Sequence, residues 1–411
     1  MTTVHITNAY HPTSGGIRTF YTALLEAANR HRRRVVLIVP GERSAREDVG
    51  RFGCIHVVAA PRAPAFDRRY RLLYPVTYMP GLRAPVIRIL EQEQPALVEI
   101  CDKYSLPYLA AMLRKRWHRR VSRPVLVGFS AERFDDNMAA YLARGRQAGR
   151  FTRWYLRHIY GPPFDVHLAN SEYVAEELRA ALPDRWPGFI RVLPMGVDVA
   201  GFGPQRRSPA TRAQLLEIAG GGPQTTLLLY AGRLSPEKNI GLLLETLRRL
   251  TADAARDYRL VLAGDGPLAP ALGGAAAAMN GRLSLLGPLD REALARCCAS
   301  CDVFVHPNPR EPFGIGPLEA MASGIPVVLP RAGGVREYAD EGNAWLAEPT
   351  AADFADAVRA AAAGGAERIA GARTTARGLA WSRVAARYFA FYDELAGEVR
   401  LRERDAAVTH G

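Results

Sequence analysis

Two α/β units in tandem, each built on a parallel sheet, are the fold class this sequence predicts. Three observations carry the prediction. The chain has 411 residues, 48% of them apolar and 23% charged, enough to bury the cores of two ordinary domains. Short apolar runs alternate throughout with longer helical patterns. That alternation lapses once, midway, where Pro and Gly accumulate in "PMGVDVAGFGPQRRSP".

In the first half the runs are "VHITNAY", "RRVVLIVPG", "IHVVAA", "ALVEICD", "PVLVGFS" and "DVHLANS". In the second they are "TTLLLYAGR", "YRLVLAGDG", "LSLLG", "CDVFVHPN" and "IPVVLPRAGG". Runs this short, apolar throughout rather than alternating, suit strands covered on both faces by crossover helices. The terminal "WSRVAARYFAFYDELAGEVRLRE" spaces its apolar and aromatic residues for one long packed helix.

Composition excludes several classes. No apolar run approaches the roughly 18 residues that span a bilayer. The N-terminus lacks a basic region followed by a hydrophobic stretch, so a cytosolic chain is expected. Five cysteines, three of them in "CCASC", do not make a disulfide framework. The net charge of +13 lies almost wholly in residues 1–200. There "FDRRYRLLY", "RKRWHRR" and "RQAGRFTRWYLRHIY" interleave Arg with aromatics. This texture suits peripheral contact with an anionic membrane, or a plain solvated basic surface. No nucleic-acid-binding signature accompanies the charge.

The loops after the strands are where an open α/β sheet binds ligands. Gly15 and Gly16 open a helix whose amides can meet an anion, or simply make a tight turn. Arg233 and Lys238 lie on a strand-to-helix loop in "YAGRLSPEKNIGLLLETL", placed to clamp a diphosphate from two sides or to form surface salt bridges. Gly264, Asp265 and Gly266 form another strand-end turn, where a ligand can approach the backbone. "REPFGIGPLEAMASG" puts Phe313, Gly314 and Ile315 on a bend ahead of a helix, framed by Glu311 and Glu319. Acids there can accept hydrogen bonds from sugar or ribose hydroxyls; as the simpler reading, they cap a helix.

These blocks, "GGI", "AGRLSPEKNI", "AGDGP", "LGPL", "DVFVHPN" and "EPFGIGPLEAMASGIPVV", resemble the retaining glycosyltransferases of family 4, mannosyltransferase-like, over nearly the full chain. The resemblance implies a GT-B fold: two Rossmann-like parallel-sheet domains facing across a cleft. It implies an acceptor-side domain at 1–199, joined by a C-terminal helix at 380–411 that crosses back. A nucleotide-sugar donor domain is implied at 200–379. Arg233 and Lys238 resemble the pair that neutralises the donor diphosphate. Glu319 resembles the acid on the ribose hydroxyls, and Glu311 the one near the donor sugar. Pro312, Phe313, Gly314 and Ile315 would line sugar and phosphate oxygens, with Gly266 beside them. Leu289 would meet the nucleobase through its backbone, and Gly16 the phosphate from the first domain. No metal and no cofactor beyond the nucleoside diphosphate sugar is implied.

One stretch departs from that pattern. Where the family often carries His after the strand "PVLVGF", this chain has Ala131, followed by Glu132 and Arg133 as acceptor-side candidates. A lost sugar contact there calls full activity into question. Cys297, Cys298, Cys301 and His306 have a spacing compatible with a metal, but they read better as small residues packing where a helix meets a strand, with His306 structural. The resulting expectation is transfer of a hexose, of mannose or glucose type, to a glycan, lipid-linked or small polyol acceptor. GDP-mannose is favoured as donor by the texture of "EPFGIGPLEA". A nucleotide-sugar epimerase of the same architecture and a catalytically impaired binding module are the alternatives.

Overall fold

In a computed structural model of the protein, residues 1–11, 15–63, 71–79, 84–141, 146–184, 186–252 and 256–408 are described. Residues 12–14 ahead of Gly15 and residues 66–70 of the basic "FDRRYRLLY" stretch lie outside them. The chain divides into two compact units: Met1–Pro194 with Ser382–Gly411, and Met195–Trp381.

The first unit holds an eight-stranded sheet, in chain order β1 (Thr2–Thr7), β2 (Arg34–Gly41), β3 (Ala45–Val49), β4 (Gly53–Ala59), β5 (Leu97–Cys101), β6 (Val125–Ser130), β7 (Val166–Ala169) and β8 (Phe189–Val192). Its spatial order is β3-β4-β2-β1-β5-β6-β7-β8, parallel except for the antiparallel β3–β4 pair. The second unit holds β9 (Thr226–Ala231), β10 (Tyr258–Ala263), β11 (Leu283–Gly287), β12 (Val303–Val305), β13 (Val327–Pro330) and β14 (Trp345–Ala347). They form an all-parallel sheet in the order β11-β10-β9-β12-β13-β14.

The continuously apolar runs became strands because both faces are covered. In β2, Val35, Val36, Leu37 and Ile38 are all essentially inaccessible, as are Leu227, Leu229 and Tyr230 in β9. Three strands lay outside the sequence expectation. β3 is the charged edge segment Ala-Arg-Glu-Asp-Val, mostly exposed, and a charged antiparallel edge protects the sheet from pairing with another chain. β8 alternates exposed and half-buried residues, and β14 has only three residues.

A buried polar knot fastens the last helix, Trp381–Val408, into the first unit. Glu99 on β5 is fully buried. It accepts from Tyr392 Oη at 2.6 Å and Tyr21 Oη at 3.2 Å, and its Oε1 lies 2.9 Å from His5 Nδ1. His5 Nε2 in turn lies 3.0 Å from Thr3 Oγ1. Tyr388 Oη donates to Leu193 O at 2.9 Å. Burial pushes the Tyr21, Tyr388 and Tyr392 hydroxyls well up, with Glu99 adding to the shift, so these hydroxyls keep the protons they donate.

Candidate active site

In the second unit the site grows from the loop after β9. Tyr230, buried at the end of the strand, donates from Oη to Arg233 O at 3.0 Å. Leu234 N bonds Asp265 O at 2.9 Å and Leu268 N bonds Leu234 O at 2.9 Å, so this loop is laced to the turn after β10. A Cβ on Gly266 would sit 2.3 Å from Leu234 O. Glycine is needed there because the protein's own backbone approaches. A short 3-10 turn, Pro236–Lys238, ends at Asn239 in the left-handed region (φ 54°), which Asn tolerates better than most side chains. Asn239 Nδ2 then donates to Pro307 O at 3.2 Å, tying the turn to the segment after β12.

That tie aims Lys238 at Glu311. Lys238 Nζ donates to Glu311 Oε2 at 2.7 Å, and Asn308 Nδ2 donates to the same oxygen at 3.2 Å. His306 Nε2 lies 3.1 Å from the same oxygen, the third nitrogen gathered on it. Burial alone would raise the Glu311 carboxyl; Lys238 and His306 outweigh it and hold the group far below the usual carboxylate range. His306 was expected to be structural, yet it belongs to this cluster, with its ring stacked on Tyr230 at 6.2 Å and 15°. Asn308 escaped the sequence reading altogether.

Gly314 caps the helix Ile315–Ser323 in the left-handed region (φ 85°, ψ 83°), a backbone glycine adopts without a Cβ penalty. Tyr338 Oη donates to Gly314 O at 2.6 Å and its ring meets the buried Phe313 edge-on at 5.3 Å. The bend is therefore held rigid, and a helix leaves its first N–H groups, from Ile315 onward, without intrahelical acceptors. Pro312 precedes the bend; its carbonyl would lie 1.8 Å from a Cβ on Gly334, so the loop after β13 closes directly over it.

Glu319 forms a second cluster. It is 7% exposed, with Arg291 Nη1 at 3.4 Å, while Arg291 Nη2 reaches Asp198 at 3.3 Å. The guanidinium lies over the Phe202 ring, 5.1 Å from its centroid. Burial raises the Glu319 carboxyl to about 7, Arg291 opposing and Asp198 adding. Arg291 and Asp198 carry no local sequence signal. Leu289 is half-buried just before Asp290, whose side chain caps the helix Arg291–Ser300 through Ala293 N at 2.7 Å. Cys297, Cys298 and Cys301 are buried on that helix and at its end, and burial pushes their thiols up. Among the described residues no group of three His, Cys, Asp or Glu is arranged for a metal.

In the first unit Gly16 lies exposed in the first turn of the helix Gly15–Arg30. Ala131, Glu132 and Arg133 follow β6, each half-buried. Asn170 Nδ2 donates to Ala131 O at 3.2 Å. Arg133 is committed to Asp135 at 2.9 and 2.6 Å and to Tyr173 O at 3.1 Å, so its fork holds the loop together. Lys103, only 2% exposed, donates to Glu132 O at 2.5 Å and to Glu177 at 3.0 Å. Burial pushes the Glu132 carboxyl up, and Lys103 opposes it. This buried lysine, missed from sequence, holds the backbone of the acceptor-side candidate.

The two parallel-sheet units define a GT-B glycosyltransferase fold, the fold of its solved neighbours. Sucrose-phosphate synthase from Thermosynechococcus elongatus matches with a TM-score of 0.74 at 18% identity, over 97% of this chain and 100% of that one. Anabaena HepE, solved with UDP and glucose, matches with a TM-score of 0.69 at 16% identity, over 96% and 100%. Residues 14–200 match the model for Glycosyltransferase Family 4 and residues 217–370 that for Glycosyl transferases group 1. A GDP-mannose-dependent alpha-(1-6)-phosphatidylinositol dimannoside mannosyltransferase of Mycobacterium tuberculosis is 31% identical over 361 residues, 87% of each chain. A GDP-mannose-dependent alpha-mannosyltransferase of Corynebacterium glutamicum is 28% identical over 361 residues, 87% of this chain and 78% of that one. The chain belongs to glycosyltransferase family 4, and it is a glycosyltransferase.

Proposed function

We propose that this enzyme transfers a mannose-type hexose, with retention, from a nucleoside diphosphate sugar, GDP-mannose first among the candidates, to a lipid-linked or other glycan acceptor. The observation that carries the reading is the pairing of Lys238 with a buried, ionised Glu311 at one end of residues 311–319, while a second buried acid, Glu319, closes the other end. In this reading Glu319 accepts the ribose hydroxyls, the backbone of Leu289 meets the base, and Glu311 faces the sugar. Arg233, Lys238 and the amides of Phe313, Gly314 and Ile315 take the diphosphate, and Gly266 and Pro312 shape the wall. The departing diphosphate gains charge as the glycosidic bond breaks, and fixed cations and amides lower that barrier without reorganising. No metal or further cofactor has a part in it. The GDP-mannose-dependent relatives support the donor.

The test is donor turnover with and without acceptors. Sugar release that needs an acceptor and yields the α-product from GDP-mannose is the expected result. Acceptor-independent conversion of the sugar would identify an epimerase, and no release would identify an impaired module, the outcome that Ala131 in place of the family's His makes worth checking.

Peripheral contact with an anionic leaflet is part of the same reading. Among the described residues no helix is long and apolar enough to cross a membrane. The helix Arg146–Tyr155, however, exposes Phe151 (47%) and Trp154 (52%), stacked on each other, between exposed Arg150, Arg153 and Arg157. Trp117 is also exposed, beside Lys115 and Arg116. Each basic residue near an anionic surface contributes about 1 kcal/mol, fading as the Debye length shortens. The protein should therefore sediment with anionic vesicles at low salt and be released as salt rises, and the Phe151→Ser/Trp154→Ser double variant should bind less at every salt concentration. Equal recovery with neutral vesicles would make this an ordinary basic surface.

A further inference from the structure

Arg291 opens the helix Arg291–Ser300. At that end of a helix the backbone dipole favours acids, so a guanidinium there does its own helix no service. What holds it is one turn of chain, residues 198–202. Asp198 Oδ1 accepts from Ala200 N at 3.2 Å and from Gly201 N at 2.9 Å, and Phe202 N bonds Asp198 O at 2.9 Å. A Cβ on Gly201 would run into Asp198 Oδ2, so glycine leaves room for the carboxylate to fold over the turn. Arg206 Nε secures the same turn, donating to Gly201 O at 3.2 Å.

The turn thereby offers a carboxylate and a ring to one cation. Arg291 Nη2 donates to Asp198 Oδ2 at 3.3 Å, and the guanidinium lies 5.1 Å from the centroid of Phe202, whose side chain is buried. The other arm, Nη1, reaches Glu319 Oε1 at 3.4 Å. An isolated ion pair on the surface contributes little; here one end is a carboxylate almost closed off from water, which depends on its cation far more. The other charged or titratable groups around Glu319 are committed elsewhere. Burial pushes the Cys298 thiol well up, so it stays neutral. Arg206 is spent on Gly201 O, and the Arg373 stem lies against Gly324, beyond the far end of the helix Ile315–Ser323. Among the described residues, Arg291 is the cation that reaches Glu319.

We propose that Arg291 is a positioning residue for nucleotide recognition: cradled by Asp198 and Phe202, it holds the Glu319 carboxylate in place as the acceptor of the donor's ribose hydroxyls. The inference rests on the reading that puts Glu319 on the ribose. A carboxylate bridged at one oxygen keeps the directions of its remaining acceptor sites, which two neighbouring hydroxyls require. The same cation opposes the burial that raises this acid to about 7.

The test compares GDP with 2′,3′-dideoxy-GDP by titration calorimetry. Wild type should prefer GDP by about tenfold or more, because the dideoxy form leaves a buried acceptor without its donors. Arg291→Met keeps a stem over Phe202 and removes the charge. Its preference for GDP should fall to within about threefold, while dideoxy-GDP binds as it does to wild type. Arg291→Lys restores charge without the fork that spans two acids, so it should recover part of the preference. In Arg291→Met the affinity for GDP should also begin to fall at a higher pH than in wild type, since Glu319 has lost the cation that opposes its burial. A merely structural role would weaken both nucleotides equally and leave the pH profile parallel to wild type. That result, or an Arg291→Met variant that discriminates as well as wild type, overturns the role of Arg291 alone. A wild-type chain that binds the two nucleotides equally, or binds neither, overturns the ribose assignment of Glu319 together with it.

Discussion

Lys238→Ala should lower turnover by about 10²–10³-fold, the cost of removing one preorganised charge donor from a developing anion. The loss comes from two sources. One is the missing cation at the departing diphosphate. The other is Glu311, which loses its 2.7 Å partner and keeps only Asn308 and His306 against the burial that raises its carboxyl. Lys238→Arg restores charge but not a compact ammonium, so it should recover part of the rate. Steady-state kinetics with saturating GDP-mannose and an acceptor decides the matter. A turnover within about threefold of wild type, below roughly 0.7 kcal/mol of barrier, would remove Lys238 from the diphosphate.

Glu319→Ala should weaken GDP binding by roughly 10- to 150-fold, the range for one charge-assisted hydrogen-bonding group worth about 1.5–3 kcal/mol. The acid also makes binding depend on pH. With its carboxyl raised to about 7, Glu319 is protonated below that pH and loses acceptor capacity for the ribose hydroxyls, so GDP affinity should fall as pH drops through about 7. The sign for stability is opposite. A carboxyl raised above its ordinary value near about 4.3 binds its proton more tightly in the folded chain, so its contribution is full at low pH and is lost as pH rises through about 7. Glu319→Gln should flatten both slopes, measured by titration calorimetry and by Tm against pH. Unchanged GDP affinity in Glu319→Ala with an intact fold would remove the ribose assignment.

Much of the fold was legible because doubly covered parallel strands are written as unbroken apolar runs, as in Val35–Ile38 and Leu227–Tyr230. β3, β8 and β14 were not: β3 is an edge strand of Arg, Glu and Asp, β8 is half-exposed, and β14, as short as β12, lacks its β-branched residues. The site divides the same way. Glu311 and Glu319 share one short segment, and their spacing around a glycine bend is a local signal. Their partners are not local: Lys238 reaches Glu311 across 73 positions, and Arg291 meets both Glu319 and Asp198 through folding alone. His306 did leave one trace, a polar residue closing the apolar strand "VFV". Burying a polar group there is costly without a purpose.

The knot around Glu99 has a consequence for biosynthesis. Its Tyr392 partner lies 293 positions further along the chain, beyond the whole of the second unit. A ribosome therefore delivers all eight strands of the first sheet, and then an entire second unit, before the residues that complete the first core exist. Until then Glu99 and His5 lack one of their partners in a fold designed to exclude water from them. The Met195–Trp381 unit, contiguous in the chain, can close while its neighbour waits. The domain that begins the protein is thus the one finished last, and a message ending before the final helix would yield a first unit with a buried acid short of a donor, a natural substrate for the cell's quality control.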